Sequence, residues 1–170
     1  MSLISGIQQF VQKLDENSIA YAVIGGLAVF AYGGDRTTFD VDFLIHGQFR
    51  KQILEIAKIL ELKVVNENDE VLQLSGAIQI DVIFANRPKS QQMLTRVKLL
   101  KNLPFPVVTP EDLIGLKIQA FSGDRSREYV DKGDILTIFR HVDELNFDLI
   151  KEYADIFQVW PEIEEIRKHI

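Results

Sequence analysis

The chain has 170 residues, 46% of them hydrophobic, no cysteine and a formal net charge of −6. That length builds one domain with a core of its own, or a domain with a small helical appendage. Without cysteine there are no disulfides and no thiolate metal sites, which fits a reducing cytoplasm, and the acidic balance argues against non-specific DNA binding.

No apolar run approaches the roughly 20 residues of a membrane span. The opening MSLISGIQQF has neither a basic n-region nor a long apolar h-region, so neither a membrane partner nor a signal peptide is expected. Ile4, Ile7, Phe10, Val11 and Leu14 recur at helical spacing and predict a helix over 2–16. AYAVIG (20–25) is a short buried strand ending in Gly-Gly, and LAVFAYGG (27–34) a short helix closed by glycines. Residues 39–45 are a second strand and 48–62 a second long helix.

KVVNENDEVLQLS reads as two strands around an acidic turn, and AIQIDVIFA (77–85) as a further core strand. Residues 88–97 are expected to be helical. Pro104, Pro106 and Pro110 mark a connection, after which Thr109 and Pro110 supply a helix start. Helices are expected over 110–122, 127–140, 147–158 and 161–168. The order of elements predicts an α+β (mixed α/β) core over 1–108 with a helical region, 109–170, packed on it in one compact unit.

Two aspartates interrupt the apolar second strand, FDVDFLI. Alternate strand residues share a face, so Asp40 and Asp42 point the same way, about 7 Å apart, while Val41 and Phe43 enter the core. Paired carboxylates in apolar surroundings repel, and a divalent cation removes the conflict. Asp81, in QIDVIFA, repeats the anomaly. If its strand lies beside 39–45, three carboxylates can hold two metals about 3.5–4 Å apart, the arrangement that stabilises attacking and leaving oxygens in phosphoryl transfer.

Gly25-Gly26 lets the backbone approach a phosphate, or is a plain turn. Arg36 is placed to contact phosphate or to cap the loop; Thr38 holds the turn or a carboxylate. Between Asp81 and Glu111 there is no acid, and Arg87, Lys89, Arg96, Lys98 and Lys101 make a basic segment. It is either a solvated face or a surface for a phosphate-bearing ligand. The three histidines, His46, His141 and His169, have no metal-ligand spacing. Walker A, dinucleotide-binding and nucleophile-elbow patterns do not occur.

The combination of Gly25-Gly26, Arg36-x-Thr38-x-Asp40-x-Asp42 and Asp81 resembles the nucleotidyltransferase superfamily related to DNA polymerase β. VIGGLAVFAYGGDRTTFDVDFLI is most similar to the small bacterial abortive-infection (AbiEii-like) and minimal nucleotidyltransferases. The resemblance covers 20–85 and extends more loosely to about 140, where Lys117, Asp131 and Asp134-Ile135 match a helical segment. It implies a nucleotidyltransferase fold, a mixed β-sheet with helices on one side and a helical carboxyl-terminal part. It also implies transfer of a nucleoside monophosphate from a nucleoside triphosphate, with pyrophosphate leaving.

Carried over by position, Asp40, Asp42 and Asp81 are catalytic and hold two Mg²⁺, with Mn²⁺ as a substitute. Asp81 also helps deprotonate the acceptor. Gly25, Gly26, Arg36, Thr38 and Lys117 bind nucleotide. Arg87, Lys89, Arg96 and Lys98 are the candidate acceptor surface, for a protein, an RNA end or a small molecule. Many members have Gly-Ser at the loop; Gly-Gly followed by Leu27 leaves phosphate contacts to backbone N–H groups. The alternatives are a nucleotide- or partner-binding module of the same fold, and one half of a toxin–antitoxin pair.

Overall fold

The computed structural model describes residues 3–35, 40–101 and 103–170. It divides into two units, one of Met1–Leu27 and Thr37–Val108, the other of Ala28–Arg36 and Thr109–Ile170.

The first unit opens with α1 (Leu3–Glu16) and β1 (Tyr21–Ile24), followed directly by α2 (Gly25–Ala31), whose residues from Ala28 on belong to the second unit. β2 (Asp40–His46) leads through a 3₁₀ turn into α3 (Arg50–Ile59). β3 (Lys63–Glu67), β4 (Val71–Ser75) and β5 (Gln79–Ala85) form a meander, and α4 (Pro88–Met93), β6 (Lys98–Leu99) and β7 (Pro106–Val107) complete the unit. Among the described residues these strands make one mixed sheet in the order β3-β4-β5-β2-β1-β7-β6. β2 lies at its centre, antiparallel to β1 and parallel to β5.

The alternation read from the sequence decides what is buried. Val41, Phe43 and Ile45 are fully buried, as are Ile80 and Val82 on β5. The periodic stripe of α1 meets this face: Phe10 and Phe43 have ring centroids 5.1 Å apart, and Tyr21 stands edge-on to Phe43 at 5.9 Å. Burying side chains of this size contributes about 1.5–3 kcal/mol each.

The second unit is helical beyond residue 109: α5 (Pro110–Gly123), α6 (Glu128–His141), α7 (Phe147–Ile156) and α8 (Trp160–Arg167). The expected start of α5 is present: Thr109 Oγ1 accepts the Asp112 N–H at 3.2 Å, with Pro110 in the first turn. Asn146 caps α7 in the same way through the Leu149 N–H. Gly115 brings α5 close to α7; a Cβ there would lie 2.6 Å from the Tyr153 ring.

Several boundaries differ from the sequence reading; α3, expected over 48–62, runs Arg50–Ile59. α2 takes in both glycines rather than beginning at 27, with Gly25 entering it at a positive φ. α4 stops at Met93 instead of 97. The proline-marked connection contains the two-residue strands β6 and β7; among the described residues β6 pairs with β7, and β7 also with β1. Strands that short carry no periodicity, and Pro106 at the start of one hides it further. No helix of the described residues is long and apolar enough to cross a membrane.

Candidate active site

Register brings the three aspartates together. Asp42 pairs with Asp81 across the parallel ladder of β2 and β5, and Asp40 lies two residues back on the same face. One carboxylate oxygen from each of Asp40, Asp42 and Asp81 lies within 4.8 Å of the others, and all three residues are half-buried. Three such carboxylates repel one another unless a cation sits among them. A donor set made only of hard carboxylate oxygens fits Mg²⁺ or Mn²⁺.

β1 supplies the next component. Ile24 pairs with Asp42, so the turn into α2 lies beside that carboxylate. Gly25 has φ +64°, a conformation that disfavours any residue with a side chain. A Cβ at Gly25 would fall 1.9 Å from Asp42 Oδ2. Glycine is therefore required twice, for its backbone angle and for the space the carboxylate fills.

β4 supplies a hydrogen bond. Gln73 pairs with Asp81, and its Nε2 donates to Asp81 Oδ2 at 3.0 Å. Asn66 on β3 pairs with Gln73 in turn, and its Nδ2 donates to Gln73 Oε1 at 3.2 Å. Neither residue stands out in the sequence. Gln73 occupies an ordinary polar slot of the alternating VLQLS, and only strand pairing reveals its neighbour.

The remaining sequence-predicted residues are placed less uniformly. Arg36 and Thr38 lie outside the described residues. Lys117, on α5 of the helical unit, is 5% exposed. Its Nζ lies 3.1 Å from Asp131 Oδ1 and 2.7 Å from Asp134 Oδ2 on α6. Arg127 reaches the other oxygen of Asp131 at 3.1 Å. The i, i+3 spacing of the two acids thus places both on Lys117.

Of the basic segment, Arg87 is exposed and holds Glu70 at 2.9 Å, an acid that the fold brings in from the β3–β4 turn. Lys89 lies on α4, Arg96 follows that helix, and Lys98 is exposed on the edge strand β6.

No protein-family model and no curated protein matches the sequence. Solved structures do match. The antibiotic-resistance factor ANT(2'')-Ia aligns with a TM-score of 0.69 at 16% identity, over 98% of this chain and 97% of that one. A nucleotidyltransferase-like antigenic protein of Paracoccidioides brasiliensis gives 0.57 at 21% identity, over 97% and 90%. The lincosamide antibiotic adenylyltransferase LnuA, with lincomycin bound, gives 0.57 at 14% identity, over 79% and 94%. The likeness is one of fold, and it extends nearly end to end in the first two.

Proposed function

We propose that this chain, whose fold is that of the nucleotidyltransferases, moves a nucleoside monophosphate from a nucleoside triphosphate to an acceptor and releases pyrophosphate. The observation that carries this reading is the meeting of Asp40, Asp42 and Asp81 in register beside Gly25. The aspartates hold divalent cations, two Mg²⁺ or Mn²⁺, which when bound offset the charge on the triphosphate and on the attacking and leaving oxygens. The carboxylate of Asp81 accepts the proton of the acceptor hydroxyl. Gly25 and Gly26 let the chain approach the triphosphate, whose contacts there are backbone N–H groups because no serine follows. Arg36 and Thr38, which flank the carboxylate strand in sequence, complete the nucleotide contacts. Lys117 is the further candidate for a contact to phosphate or pyrophosphate.

ANT(2'')-Ia has also been crystallised with adenylyl-2''-tobramycin, over 99% of this chain at a TM-score of 0.60. With LnuA it supports a small hydroxylated molecule as acceptor, alongside a protein or an RNA end. Arg87, Lys89, Arg96 and Lys98 are the acceptor-facing candidates. The sequence resemblance to abortive-infection transferases supports a place in a cytoplasmic two-gene toxin–antitoxin module.

The test is transfer of label from each α-labelled nucleoside triphosphate, with Mg²⁺, to tobramycin, lincomycin, RNA and a cell lysate. Transfer that disappears in Asp40→Ala, Asp42→Ala and Asp81→Ala supports the enzyme. Tight nucleotide binding with no label moved to any acceptor makes the chain a binding module instead.

A further inference from the structure

One row of side chains runs across four strands: Asp42 on β2, Asp81 on β5, Gln73 on β4 and Asn66 on β3, each in register with the next. From this row we infer that Gln73 and Asn66 are positioning residues for Asp81. The inference rests on the metal-site reading of the aspartates and names two residues that reading does not use.

The chemistry of the groups allows one polarity. An ionised carboxylate only accepts hydrogen bonds, so Gln73 must turn its amide nitrogen toward Asp81. The amide oxygen then faces the other way and requires a donor. Asn66 Nδ2 is that donor, at 3.2 Å. Asn66 therefore fixes which end of the Gln73 amide meets Asp81, and Gln73 holds Oδ2 of the carboxylate at 3.0 Å. A carboxylate held at one oxygen keeps its rotation, so its other oxygen stays in place.

Asn66 stands in this row because β3 is irregular. Val64 pairs with Leu74 and Asn66 with Gln73, with a register shift between them. Regular antiparallel pairing would set Val65 opposite Gln73. A valine offers no donor, and the Gln73 amide would be free to turn over. A bulge that re-aims one side chain beside a site is a recognised use of the irregularity.

The test is Mn²⁺ binding by electron paramagnetic resonance of the full chain without nucleotide, followed by steady-state kinetics. Partners of ligating carboxylates typically alter metal affinity or activity 10–100-fold. Gln73→Ala should weaken Mn²⁺ binding about tenfold and lower kcat by a similar factor, with KM for the nucleotide little changed. The sharper variant is Asn66→Asp, a near-isosteric change at an exposed residue, compared with the wild type at equal folded fraction by circular dichroism. An added negative charge alone would tighten Mn²⁺ binding. Positioning through Gln73 requires the opposite, because an acceptor at 66 draws the amide nitrogen away and turns the oxygen toward Asp81. Binding should weaken about tenfold, and the effect should vanish in a Gln73→Ala background.

Unchanged or tighter binding by Asn66→Asp overturns the inference, as does an effect that persists without Gln73. Wild-type protein that holds no Mn²⁺ overturns the metal-site reading, and this inference with it.

Discussion

Gly25 and Asp42 compete for one place. The position a Cβ would take on Gly25 is 1.9 Å from Asp42 Oδ2, on a residue whose φ is +64°. Gly25→Ala must therefore shift the loop, the carboxylate or both, and also carries the ~1–2 kcal/mol cost of a left-handed non-glycine residue. The fold should survive with a lowered melting temperature, while Mn²⁺ affinity and transfer fall together. Gly33→Ala, also at a positive φ of 98° but in the helical unit, is the control: it should lower the melting temperature and leave Mn²⁺ affinity unchanged.

The aspartate cluster predicts a metal-dependent stability. Asp42→Asn removes one of the three carboxylates that would hold the cation. Adding Mg²⁺ should stabilise the wild type, by about 2.7 kcal/mol at a hundredfold excess over Kd, and the variant little. Calorimetry with and without Mg²⁺ reads both arms. A wild type indifferent to Mg²⁺ and Mn²⁺ contradicts the cluster's proposed role.

Lys117 is ringed by acids of its own unit. Lys117→Met leaves Asp131 and Asp134 buried without their shared cation, a loss of about 3–5 kcal/mol for a broken buried pair. Urea unfolding should show that loss, and adding Asp134→Asn should recover part of it. Recovery marks the ion cluster, rather than helix propensity, as the source of the effect.

A second cluster gives a pH signature. Lys132 bridges Glu128 and Glu162, and Arg125 also reaches Glu162. The Lys132 hydrogen bond is the largest cause holding the Glu162 carboxyl below its ordinary range, and the same is true of Glu128. A depressed acid contributes stability above its unfolded pKa and loses it as pH falls through the folded one. The wild type should therefore melt above Glu162→Gln at pH 6–7, with the gap closing below about pH 4. A gap of constant size through that range removes the ion pairs as its cause.

Much of this molecule was legible in its sequence for local reasons. FDVDFLI and QIDVIFA declare themselves by period-two burial, Thr109-Pro110 by capping chemistry, and Asp131 with Asp134 by helical spacing. What stayed hidden depends on partners distant in the chain. That Asp81 lies against Asp42 and not Asp40 is a matter of strand register. The seat of Gln73 beside Asp81 comes from the β4–β5 pairing, and the presence of Asn66 beside Gln73 from a bulge that no pattern of apolar residues encodes. The basic run after Asp81 looked free of acids because Glu70, which meets Arg87, precedes it in the chain.

The stretch 28–36 belongs with the helices although it is made long before them. Ala28 and Val29 are buried, the Tyr32 hydroxyl is pushed up by burial and by Glu111 and Asp112, and Gly33 abuts His141. On a ribosome adding about 5–20 residues per second, Gly33 waits on the order of 5–20 s for His141 to be made. During that interval the nascent chain presents its first strands with an apolar segment between them that has no permanent home. Synthesis rate and chaperone access in that window should therefore bear on the yield of this protein, independently of its final stability.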